Sequence, residues 1–93
     1  MNEFELKVSE TSQFKKDLKK IIKQGKNLNK LKAIVLKLIR GQKLEAKYKD
    51  HLLKNNWKSR RECHLEPDWL LIYKLLHDEL ILERTGSHSE LFE

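Results

Sequence analysis

Histidine is the side chain whose ordinary pKa, near 6.5, lets one copy take a proton and another give one at neutral pH. This 93-residue chain has four histidines, at positions 51, 64, 77 and 88. Three of them, His51, His64 and His88, fall at boundaries between expected elements, where a side chain reaches solvent. His77, between Leu76 and Asp78, reads as a surface turn residue. Asp68 follows His64 in the next turn, and Arg84 lies near the end of a later strand. If the strands carrying them are neighbours, His64, Asp68, Arg84 and His88 converge at one edge of a sheet. Such a set suits proton transfer at a phosphate ester, with arginine as the clamp for a phosphate gaining charge. Two other chemistries compete. Three histidines and an aspartate could bind zinc, but no pair has the short, rigid spacing of zinc motifs, so neither metal nor cofactor is expected. A Cys63–His64 dyad fails because consecutive strand residues point to opposite faces. The bland reading also stands: a single histidine on a small protein is most often a satisfied surface residue.

These residues need a frame. Phe4, Leu6 and Val8 alternate with polar neighbours, as in a half-buried strand. Ser9 to Ser12 offers N-caps for a helix in which Phe14, Leu18, Ile21 and Ile22 share a stripe and Gly25 closes the end. A second helix over 28–40 carries Leu31, Ile34, Val35, Leu38 and Ile39, and Gly41 stops it. From Trp57 to Leu65 one face holds Trp57, Ser59, Arg61, Cys63 and Leu65, the other Lys58, Arg60, Glu62 and His64. Arg61, on the core face, needs a carboxylate or a carbonyl to pair with. After the turn Glu66-Pro67-Asp68, residues 69–76 are apolar on both faces except Lys74, which predicts a central strand; Trp57, Trp69 and Tyr73 read as core. His77-Asp78 turns the chain into a strand over 79–85, ended by Gly86. Ser87 and Glu90 have capping-box spacing, placing Leu91 and Phe92 on a last helical turn. The order β-α-α-β-β-β predicts an α+β domain: two helices packed on an antiparallel or mixed sheet.

At this length there is one domain, residues 1–93, with a small core. Hydrophobic residues make up 39% and charged residues 37%, which argues against disorder. Apolar runs are too short to span a bilayer, and the first residues lack the basic-then-apolar layout of a signal peptide. With one cysteine no intrachain disulfide forms, so a cytoplasmic location is expected. Charge is uneven: residues 1–50 hold 14 Lys/Arg against 6 Asp/Glu, residues 51–93 hold 6 against 8. A basic half suits a polyanion or an acidic protein partner, although lysine-rich helices can simply be solvated faces.

The segments Tyr48-Lys49-Asp50-His51, Trp57-Lys58, Arg61-Glu62-Cys63-His64-Leu65-Glu66-Pro67-Asp68-Trp69-Leu70-Leu71-Ile72-Tyr73 and Glu83-Arg84-Thr85-Gly86-Ser87-His88-Ser89-Glu90-Leu91-Phe92 resemble the YafQ branch of the RelE/ParE toxin superfamily. The resemblance covers nearly half the chain; the helices match in pattern only. It implies a RelE-like microbial RNase fold and the toxin of a type II toxin–antitoxin pair, a ribosome-dependent endoribonuclease that cuts mRNA without a metal. Carried over by position, His51, His64, Asp68 and His88 match the acid–base group, with His88 as proton donor to the leaving oxygen. Arg84 matches the phosphate contact and Phe92 the residue that packs on a base. The implied partners are mRNA on the ribosome, a cognate acidic antitoxin, and ribosomal RNA along the basic helices. For Phe92 a core role in closing the last turn is the alternative.

The competing function is a non-catalytic module of the same fold, or a ParE-like toxin that binds gyrase. A protein that only occludes a target has no need of titrating side chains, so the histidine and aspartate set favours the nuclease.

Overall fold

The alternation and helical stripes of the sequence are realised in a computed structural model that describes residues 5–54 and 59–92. Its elements are β1 (Lys7–Glu10), α1 (Ser12–Lys23), α2 (Leu28–Ile39), a 3-10 turn (Ala46–Tyr48), β2 (His51–Leu52), β3 (Arg61–Glu66), β4 (Trp69–Leu75), β5 (Glu79–Gly86) and α3 (His88–Phe92). The sheet order is β1-β5-β4-β3-β2; β1 runs parallel to β5 and the other neighbours are antiparallel. The β-α-α-β-β-β order therefore holds, on a mixed sheet, with one short strand added at the edge.

Both long helices begin where a side chain can accept an otherwise orphaned N–H. The Thr11 hydroxyl accepts from Phe14 N–H at 2.9 Å and donates to the Glu83 carbonyl at 2.8 Å, so the cap also ties α1 to β5. Asn27 caps α2 by accepting from Asn29 N–H at 3.0 Å. Phe14 and Ile21 of α1 and Leu31, Ile34 and Leu38 of α2 are buried against Cys63, Leu65, Trp69, Leu71, Tyr73, Leu80 and Leu82 of the sheet. Ile22, expected on the stripe, is exposed, because one step of 100° from Ile21 carries it off the buried face. β4 is buried on both sides from Trp69 to Tyr73, as a central strand must be. On the face away from α1 and α2, Leu70 and Ile72 pack with Leu91 of α3 and with Leu53.

Several expectations shift. β1 starts at Lys7; Val8 is 41% exposed, and Phe4 lies outside the described residues. The strand expected from Trp57 begins at Arg61, and Trp57 too lies outside the described residues. His51, expected in a loop, opens β2 and pairs with Glu62.

β1 accompanies β5 only as far as Leu82. Beyond that point a carboxylate of α1 takes over the strand edge. Asp17 accepts Thr85 N–H at 3.1 Å, Arg84 Nε at 2.7 Å and Arg84 Nη2 at 3.2 Å, with Gln13 Nε2 adding a fourth contact at 3.1 Å. Asp17 is buried, so its charge depends on these donors. Removing one partner of such a pair strands the other. Asp17→Ala should destabilise the protein by about 3 kcal/mol, read from the urea midpoint. A midpoint within error of wild type would show that Arg84 and Thr85 find other partners.

Candidate active site

β3 builds the site by alternation. Cys63 and Leu65 join the core under α1 and α2, so Glu62 and His64 face the opposite side of the sheet. Register then sets the neighbours. His51, Glu62, Ile72 and Arg84 occupy one row across four strands, and His64, Leu70 and Gly86 occupy the next. The chain leaves the sheet after Gly86 and enters α3 at His88, beside the second row.

Three histidines and two carboxylates result. His51 Nε2 lies 3.5 Å and His64 Nε2 3.4 Å from the same oxygen, Glu62 Oε1. These separations are long for hydrogen bonds and short for charge attraction. The Glu62 side chain is only 5% exposed. The His64 and His88 ring centres are 6.0 Å apart, and those of His88 and Phe92 are 5.6 Å apart. Asp68 accepts the backbone N–H of His88 at 3.0 Å, with its Oδ1 3.8 Å from His88 Nδ1. The side chains of His88 and His51 are 58% and 50% accessible, that of His64 only 17%. The line of groups runs His51, Glu62, His64, His88, Phe92.

The tautomer of His51 follows from its partner. Nδ1 lies 2.7 Å from the Lys49 carbonyl, which can only accept, so Nδ1 carries the proton. Nε2 is therefore the nitrogen that takes or gives a proton, and it faces Glu62. Lys49 has left-handed backbone, φ 49°, at the end of the 3-10 turn. The residue between, Asp50, accepts from Tyr73 O–H and from Arg61 Nε and Nη2, both at 3.3 Å, which fixes the chain just before His51. Arg61 thus has the carboxylate its core-facing position required. Burial and Asp50 push the Tyr73 hydroxyl well above its ordinary pKa, so it stays a donor.

Of His64, Asp68, Arg84 and His88, expected to converge at one edge, the structure brings His64, Asp68 and His88 together, with Phe92 beside His88. His51 joins them through β2. Arg84 shares the row of Glu62 and His51, and its Nε and Nη2 both donate to Asp17. The competing dyad is absent, because Cys63 is fully buried on the other face and burial pushes its thiol up to about 12. Among the described residues no group of three or more His, Cys, Asp or Glu is arranged to hold a metal ion. Glu62 was missed as a site residue. Its shared face with His64 was readable, but the strand that sets His51 opposite it was not.

Comparison with known proteins places the chain first by class. The family model described as "Bacterial toxin of type II toxin-antitoxin system, YafQ" matches residues 6–93, so the protein is a toxin of the type II toxin–antitoxin class. The chain belongs, within that class, to the YafQ family. It is 49% identical over 83 residues to the mRNA interferase toxin YafQ of Escherichia coli strain B/BL21-DE3, covering 88% of this chain and 90% of that one. The crystal structure of YafQ from E. coli BL21(DE3) superposes with a TM-score of 0.91 at 45% identity, covering 95% of this chain and 99% of that one. YafQ in the E. coli DinJ–YafQ toxin–antitoxin complex gives 0.89 at 44% identity, over 96% and 99% of the two chains. A metal-bound toxin from Helicobacter pylori gives 0.88 at 47% identity, over 94% and 99%.

α3 holds His88 in place through Glu90. Ser87 N–H donates to Glu90 Oε1 at 2.8 Å and Glu90 N–H donates to Ser87 Oγ at 3.2 Å, the reciprocal capping box. Glu90 also meets Lys20 of α1 at 2.9 Å and Gln24, the C-cap of α1, at 3.3 Å. A Cβ on Gly86 would sit 2.9 Å from Glu90 Oε1 and push that carboxylate aside, and the φ of 156° there is one that L side chains rarely adopt. The Ser87 amide, then Lys20, lowers the Glu90 pKa to about 2. A carboxylate depressed in the folded state adds stability that is full above its ordinary value of 4.5 and is lost as pH falls through about 2. Between those limits wild type should lose stability more steeply than Glu90→Gln, measured by denaturant unfolding at each pH. Parallel curves for the two proteins would remove Glu90 from this role.

Proposed function

We propose that this protein is a ribosome-dependent endoribonuclease that cuts mRNA by acid–base catalysis, with no metal in the reaction. The observation that carries it is the pair His64 and His88, 6.0 Å apart, each with its own carboxylate, Glu62 and Asp68. The His51–Glu62–His64 side takes the proton from a ribose 2′-hydroxyl. That oxygen forms a bond to the adjacent phosphorus, the bond to the 5′-oxygen breaks, and His88 gives that oxygen a proton. The products are a 2′,3′-cyclic phosphate and a 5′-hydroxyl. Buried Glu62 holds both rings of that side, its Oε1 3.5 Å from His51 Nε2 and 3.4 Å from His64 Nε2. Asp68 positions His88 through its backbone amide. Arg84 contacts the phosphate through Nη1, while Nε and Nη2 stay on Asp17. Phe92, 39% exposed and beside His88, stacks on a base.

Two proton transfers worth roughly 10² to 10⁴-fold each make a modest catalyst, and the ribosome supplies the rest by holding the strand in attack geometry. The name of the E. coli relative, mRNA interferase, supports the reading. The protein works in the cytoplasm, its basic helices lie on ribosomal RNA, and a cognate acidic antitoxin neutralises it, as the DinJ–YafQ complex suggests by analogy.

His88→Ala should lower cleavage of ribosome-bound mRNA by roughly 10² to 10⁴-fold with melting unchanged, while His77→Ala, in the exposed β4–β5 turn, keeps full activity. Equal cleavage by the His88 variant sinks the assignment. Wild-type products should carry a 5′-hydroxyl and persist when zinc and copper are chelated at constant magnesium; 5′-phosphate ends, or loss of cutting under the chelator, would mean a metal-dependent reaction.

Phe92→Ala separates stacking from packing. Base–aromatic stacking is worth about 1–3 kcal/mol, so cleavage should fall roughly tenfold to a hundredfold with little change in melting temperature. A collapse in melting temperature on the same sample would make Phe92 a core residue.

A further inference from the structure

β2 pairs only with Arg61 and Glu62, which leaves the outer edge of β3 from Cys63 to Glu66 without a strand among the described residues. A groove of about 620 Å³ occupies that edge, walled by the first half of α2, the 3-10 turn and the end of β3. Its lining includes Lys30, Lys47 and Lys49 against one carboxylate, Glu66, and that carboxylate is already held by Lys30 at 2.8 Å. His64 lines the groove as well as the histidine cluster, so the two are continuous. Tyr48 contributes an aromatic ring, but Lys47 Nζ stands 5.2 Å from its centre and occupies its face with a cation. The groove therefore sets lysine ammoniums around an apolar floor that includes Ala33, Ile34 and Leu65, with a cation over its aromatic ring.

We infer that this groove holds the sugar–phosphate backbone of the RNA strand next to the scissile bond, and does so without reading bases. The inference rests on the nuclease reading of the histidine cluster. Lysine ammoniums meet phosphate as point charges and carry no base specificity. Division of labour follows: Phe92, on the far side of His88, meets a base, while the lysines on the His64 side carry the backbone.

The test is binding of a fluorescent single-stranded RNA decamer with 2′-O-methyl riboses, which cannot be cut, measured by anisotropy against salt. For single strands the slope of log K on log salt changes by about 0.7 per phosphate contact. Replacing the three lysines (Lys30→Gln, Lys47→Gln, Lys49→Asn) should reduce the slope by about 1.4, the share of Lys47 and Lys49, since Lys30 is engaged by Glu66, and weaken binding equally for decamers of different sequence. Asn at 49 tolerates the left-handed backbone, and melting curves confirm the fold. A double replacement elsewhere, Lys7→Gln with Lys74→Gln, should leave the slope unchanged. The inference is overturned if the triple variant keeps the wild-type slope, if the control lowers it equally, or if wild type does not bind the decamer at low ionic strength. It is also overturned if the lysine changes weaken only an acidic antitoxin peptide, which would make the groove a protein-binding channel. Cleavage of ribosome-bound mRNA is scored separately. Lysine-dependent binding without cleavage would sink the nuclease reading and leave the groove standing; cleavage with an indifferent slope would do the reverse.

Discussion

The buried carboxylate of Asp17 is the contact on which the rest of this small fold depends. β1 stops short of the site, so among the described residues the far half of β5 has no strand on its outer side, and an amide there would face the helix layer unpaired. Asp17 accepts that amide and the Arg84 guanidinium together. Thr85, so fixed, passes the constraint inward: its hydroxyl accepts Trp69 Nε1–H at 2.9 Å and donates to the Leu70 carbonyl at 2.7 Å. Trp69 and Leu70 begin β4, and Leu70 is the middle member of the row that sets His64 beside Gly86. The alignment of the two rings is thus inherited from one helix side chain on the opposite face of the sheet.

The two faces of the sheet divide the work. One is covered by α1 and α2 and carries most of the apolar burial. The other is covered in part, by α3 and Leu53, and the uncovered remainder is where titrating groups stand. Glu62 is the exception that makes chemical sense. A carboxylate so enclosed has little water to stabilise its charge, and two imidazoles share one of its oxygens. Asp68 is open to solvent and meets His88 through its backbone amide.

Much of this was readable in the sequence. Period-two alternation over 61–66 separated Cys63 from His64, and the two-sided apolar run from Trp69 marked the central strand. The spacing of Ser87 and Glu90 announced α3. These are local signals, fixed by residues a few positions apart. What the sequence concealed is pairing at a distance. Nothing near His51 announces a two-residue strand, because its only reason to be extended is β3 across from it. The Asp17 partner of Arg84 lies 67 residues earlier, beyond any local signal. Val8 belongs to an alternating pattern and still faces solvent, since β1 sits at the sheet edge where one side has little to pack on.

The parallel pairing of β1 with β5 joins Lys7 to Glu79 and Val8 to Leu80. Chains are made in order, and contacts so distant in sequence close late. A nascent chain extended only to Leu75 already holds both helices, His51, Glu62 and His64. It has neither the strand that Asp17 grips nor the histidine that must face His64. During synthesis His64 therefore precedes the ring that comes to lie 6.0 Å from it, and the row that aligns the two closes only when the fifth strand has been made.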